Sequence, residues 1–98
     1  MDKQLLYSII EENAPLLTEL SDKIWEYAEL SMLEHKSTAA YVEILKEQGF
    51  AVSENLCGIA TAFSGSFGSG KPVIGILGEY DALSGLSQVG GSLEKCEL

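Results

Sequence analysis

The sequence predicts an α/β fold: two N-terminal helices packed on a partial mixed sheet of about three strands. Three observations predict it. Apolar residues recur at helical spacing along the first quarter of the chain, Leu6, Ile10, Leu17, Leu20, Ile24 and Tyr27 forming one stripe. A second stripe of Tyr41, Ile44, Leu45 and Gln48 ends at Gly49, a residue suited to the left-handed turn that closes helices. Finally, a charge-free run from Val73 to Leu77, opened by Pro72, carries no polar alternation and so reads as a strand buried on both faces.

Within the first stripe, Pro15 removes a backbone donor and crowds the preceding turn. A kink or a division into two helices follows, the second capped by Asn13. Glu11, Glu12 and Glu19 lie off the stripe and read as solvated surface. Residues 29–35 break the periodicity and form a loop, after which Ser37 is placed to cap the second helix. Residues 50–53 read as a short strand and residues 55–58 as the loop leaving it. In the next stretch Ile59, Thr61, Phe63 and Phe67 alternate with Ala60, Ala62, Ser64 and Ser66, so one face is bulky and the other small enough for a helix to approach. Residues 68–71 then turn this strand into the one opened by Pro72, giving an antiparallel hairpin with the third strand central.

The third strand ends in Glu79-Tyr80-Asp81. Side chains two apart on an extended chain share a side, so Glu79 and Asp81 are delivered to one spot at the strand's C-terminal end, where open α/β sheets bind ligands. Paired carboxylates can hold a cation, exchange protons, or orient a metal-bound histidine. An acidic turn running out into solvent explains the same residues. His35 is the single histidine and stands beside a helix start, a surface position more than a ligand, since a zinc site needs three or four donors.

Composition narrows the partners. The 98 residues hold 46% hydrophobic residues, too many for disorder, and carry a formal charge of −9 with 6 lysines and no arginine. Nucleic acid and anionic membranes both demand positive charge and are disfavoured. There is neither an 18-residue apolar run nor a signal-peptide pattern at the start, so the expected location is the cytoplasm, with Cys57 and Cys96 as free thiols.

Two motif-like stretches carry no chemistry. Residues 65–71 satisfy the spacing of a phosphate-binding loop, but Pro72 stands where a magnesium-binding hydroxyl is required and a strand follows in place of a helix. Ser92-Leu93-Glu94-Lys95 fits a Ser-x-x-Lys pattern in a polar tail, without the context of a nucleophile.

Several segments together resemble a family. These are Trp25-Glu26-Tyr27-Ala28-Glu29-Leu30, Glu34-His35-Lys36-Ser37, Gly49-Phe50-Ala51-Val52, Thr61-Ala62-Phe63-Ser64 and Gly75-Ile76-Leu77-Gly78-Glu79-Tyr80-Asp81-Ala82-Leu83. In order and spacing they resemble the start of metal-dependent amidohydrolases, metallopeptidases of the aminoacylase and carboxypeptidase type. Residues 62–70 and Gly85-Leu86-Ser87-Gln88 look most like the aminobenzoyl-glutamate hydrolase branch, and within it the B subunit.

The resemblance spans about residues 3–88 and implies that residues 1–88 are the N-terminal part of a larger three-layer catalytic domain, with 89–98 an unmatched tail. For the intact family it implies a dinuclear zinc or manganese centre that activates water to hydrolyse an amide of a small N-acyl amino acid, with a glutamate as base. It further implies that Asp81 supports the metals from behind their direct ligands. Some branches place a histidine ligand where this chain has Glu79.

Ser84 replaces a proline usual in the family, and its His-x-Cys-Gly-His-Asn type of metal motif does not follow Gln88. The expectation is therefore a catalytically incomplete piece that binds no metal by itself. The alternative is a small non-catalytic α/β module that joins a partner, in homo- or hetero-association, through exposed apolar surface.

Overall fold

The computed structural model describes residues 2–86 and 89–94. Gln88, Lys95 and Cys96, and with them the Ser-x-x-Lys pattern and the second thiol, lie outside the described residues. The chain is a small α/β fold. Helix α1 spans Lys3–Tyr27, helix α2 spans His35–Glu47, and strands β1 (Ala51–Glu54) and β2 (Phe63–Ser66) form an antiparallel hairpin.

Helix α1 starts at Asp2, whose carboxylate accepts from the Leu5 N–H at 2.8 Å. It runs through Pro15 as one helix, so the division into two does not occur. Asn13 is not a cap. Its side-chain amide donates to the Ile9 carbonyl one turn back, at 2.8 Å. The helix ends at Ala28, which takes the left-handed conformation (φ 45°, ψ 48°) at a position where glycine would be unstrained.

Helix α2 closes as its sequence implies. Gly49 has φ +89°, its N–H reaches the Lys46 carbonyl, and the Phe50 N–H reaches the Leu45 carbonyl at 2.9 Å. This is the paired closure that glycine permits after a helix. Its start differs from expectation. Ser37 sits inside the helix, and the capping atoms come from a residue outside it, Glu29.

The hairpin lies earlier in the chain than expected. The loop between its strands contains a short 3-10 turn, Leu56–Gly58, with Asn55 and Cys57 both in the left-handed region. Registered pairs run from Ala51↔Ser66 to Glu54↔Phe63. Helix α2 packs on the face bearing Phe63 and Gly65, not on the small-residue face. Tyr41 meets Phe63 with ring centroids 5.2 Å apart, and a β-carbon at Gly65 would come within 3.1 Å of Leu45 Cδ1. Gly65 thus supplies the close approach that the bulky face would otherwise forbid.

The run 73–78 is not a strand and pairs with nothing among the described residues. Ile74, Ile76 and Leu77 are 82%, 95% and 92% exposed. Beyond it, a single parallel bridge joins Leu30 and Ala82, with the Ala82 N–H on the Glu29 carbonyl at 2.7 Å. The radius of gyration, 15.9 Å, exceeds the roughly 13 Å of a compact domain of this length. No helix among the described residues is long and apolar enough to cross a membrane.

Candidate functional site

Residues 79–86 lie over a groove of about 920 Å³ whose floor is the facing stripes of the two helices, including Leu20, Ile24, Ile44 and Leu45. Glu79 and Asp81 both line it, and so does Glu26 from α1. The Glu79 and Asp81 carboxylates are exposed, and neither takes part in an ion pair among the described residues.

Tyr80, between them, is anchored differently. Its hydroxyl donates to the Thr61 carbonyl at 2.5 Å and lies 2.6 Å from Thr38 Oγ1, which completes the array by donating in turn. Thr61 Oγ1 donates to Glu34 Oε1 at 3.2 Å. The phenol ring sits in an aromatic cluster, 6.2 Å from Tyr41 and 6.0 Å from Phe63 between centroids. Burial pushes the Tyr80 phenol above its ordinary pKa, and the nearby Glu34 and Glu29 charges add to this against the opposing Thr38 hydrogen bond. Tyr80 therefore stays protonated and keeps donating across the neutral range. This contact fixes the segment that presents Glu79 and Asp81.

Glu29 is the second positioning device. Its Oε2 accepts from the Lys36 N–H at 3.0 Å and its Oε1 from the Ser37 N–H at 2.7 Å, so one carboxylate satisfies two of the first free donors of α2. Burial opposes its charge, but the Lys36 and Ser37 hydrogen bonds and the Lys36 charge outweigh it, and its pKa falls below the ordinary carboxylate value. Its own backbone carbonyl holds Ala82. Glu29 thus ties the start of α2 to the segment carrying Asp81.

The sequence pointed to Glu79 and Asp81 at the end of a strand that does not form, and gave no role to Glu29, Thr38, Thr61 or Tyr80. One signal for Glu29 is the acid standing just after the last apolar residue of one helix and a short loop before the next. Tyr80 stands out only as an aromatic residue between two carboxylates. Among the described residues no group of three or more His, Cys, Asp or Glu could hold a metal ion. His35, at the first position of α2, is exposed. The described residues therefore do not by themselves fit the two-metal centre that the resemblance implies.

The chain is 45% identical over 82 residues to the B subunit of p-aminobenzoyl-glutamate hydrolase from Escherichia coli (strain K12), a match covering 84% of this chain. It is homologous to part of that protein. The match takes in 17% of the relative's length, so the chain spans about a sixth of the protein it resembles. No protein-family model matches the chain, and no solved structure matches it.

Proposed function

We propose that this chain is a non-catalytic portion of a metal-dependent amidohydrolase of the aminobenzoyl-glutamate hydrolase kind, its residues 1–88 serving as scaffold for a centre whose ligands lie elsewhere. The homology to 17% of the hydrolase relative carries this reading. In the intact enzyme the substrate would be an N-acyl amino acid such as aminobenzoyl-glutamate, the metals zinc or manganese, and the location cytoplasmic. Asp81 would orient a metal-bound group there, with Glu79 beside it, and the Tyr80 and Glu29 contacts support a fixed placement for Asp81. The relative's designation as one lettered subunit of its enzyme supports association of the intact protein with a second, different chain.

The test is direct. Purified chain incubated with manganese or zinc and p-aminobenzoyl-glutamate is expected to release no p-aminobenzoate. Metal-dependent release that Asp81→Asn abolishes would overturn the reading.

The bare run 73–77 favours a second reading, a small module that joins a partner through exposed apolar surface. A cooperatively melting, monodisperse chain at micromolar concentration supports it, whereas an aggregating or molten chain counts against it.

A further inference from the structure

The run Val73-Ile74-Gly75-Ile76-Leu77-Gly78 combines three properties that do not belong together in a finished protein. Its composition is that of a strand covered on both faces, with no charge and three β-branched residues. Its aliphatic side chains are 79–95% exposed. It is also held at one end, because Tyr80 is bonded to Thr61 and Ala82 is bridged to Leu30. Gly75 and Gly78 have no atom within 4 Å of an added β-carbon, which leaves their backbone open to close approach by another strand.

The size of the missing cover is measurable. The chain exposes 8026 Å², against about 5,400 Å² for a compact domain of its mass, an excess of about 2,600 Å². That excess is spread over the whole chain, the α1 residues Leu5, Leu6, Ile9 and Ile10 included, and the run 73–78 is one part of it. A second copy is poorly suited to fill it. Each copy carries −9, so association of two copies works against their net repulsion.

From these observations we propose that residues 73–78 dock as an added strand onto the remainder of a chain like the hydrolase relative, the 83% of its length that the match leaves unaccounted for. This rests on the homology and on the scaffold reading above. It goes further in stating that the segment can be supplied in trans, with 73–78 as the contact that brings the two chains together.

The probe is the Escherichia coli relative deleted of its matched residues, coexpressed with the tagged 98-residue chain. The expected result is a 1:1 complex in which backbone amides of 73–78 exchange at least tenfold more slowly than in the chain alone. The double variant Ile76→Lys, Leu77→Lys should weaken the complex at least tenfold. Because those side chains are 95% and 92% exposed, the free variant should melt with the parent chain.

Three results would overturn the proposal: no copurification, a complex indifferent to the double variant, or protection of 73–78 by self-association of the chain alone. Hydrolysis of p-aminobenzoyl-glutamate by the complex is scored separately. A protected but inert complex upholds the docking and removes support for the shared reaction. A complex that hydrolyses the substrate upholds both.

Discussion

The buried centre and the run 73–77 have exchanged the places their compositions suggest. Ser37, Thr38 and Thr61 are polar and lie 1%, 6% and 5% exposed, while Ile74, Ile76 and Leu77 are aliphatic and stand in solvent. Partners, more than polarity, position a residue inside a small chain. Thr38 and Thr61 are interior because each has a hydrogen-bond partner there: Tyr80 for both, and Glu34 for Thr61. The Ser37 hydroxyl finds no partner of good geometry, although it lies close enough to the Glu29 carboxylate to help stabilise its charge. The aliphatic run is outside because burying a strand on both faces takes neighbours on both faces, and among the described residues no strand pairs with this segment.

The largest effect is expected at the helix pair. Leu20 and Val42, 7% and 5% exposed, are the buried apolar residues among those described. Leu20→Ala is expected to cost about 3 kcal/mol, the low-middle of the range for emptying a buried leucine site. In a chain with so little buried surface, that loss should abolish the cooperative urea transition followed by circular dichroism. A sharp transition retained within about 0.5 kcal/mol of the parent would show that the centre lies elsewhere.

How much of this was legible follows from the range of the forces involved. Both helices and the glycine closure of α2 come from local periodicity, and both appear. The third strand does not, because the charge-free composition of residues 73–77 reports a need for cover that only other segments can meet. The hairpin moved earlier for a related reason. Asn55, Cys57 and Gly58 adopt positive φ and close the β1–β2 loop within residues 55–62, which leaves the Gly68–Lys71 turn without a strand to return. Glu29 was illegible as a cap since its acceptors act seven and eight residues away, beyond the three-residue window in which helix caps are read.

Glu29 and Tyr80 each join the packed part to the segment that follows the bare run. Glu29→Ala should cost about 1 kcal/mol, the typical value of a helix cap, with faster amide exchange at Lys36 and Ser37. The sign of the pH effect is fixed by its lowered pKa. The folded state prefers the ionised form, so this contribution is complete above the unfolded carboxylate value and is lost as pH falls through the folded one. An acid titration of the parent should therefore lose stability that Glu29→Ala no longer has to lose. If the two curves remain parallel, Glu29 is not the capping acid.

Tyr80→Phe keeps the ring in its aromatic cluster and removes the hydroxyl shared by Thr38 and Thr61, an expected cost of about 1 kcal/mol. Here the sign reverses. A raised phenol pKa means that the folded state prefers the protonated form, so its contribution is full below the unfolded value and disappears as pH rises through the folded one. Parent and variant should converge in strongly alkaline solution and diverge on returning to neutrality.

The smallest effect is the most informative about the bare run. Ile76→Lys places a charge where the side chain is already 95% in solvent, so the stability of the free chain should change by less than about 0.5 kcal/mol. The same substitution in the middle of an ordinary buried strand would leave an unpaired charge inside and cost several times more. Equal melting of parent and Ile76→Lys would establish that the run is structurally idle in the free chain. A large loss would mean that it packs within the chain after all, and the contrast between a satisfied polar centre and an uncovered apolar strand would fall with it.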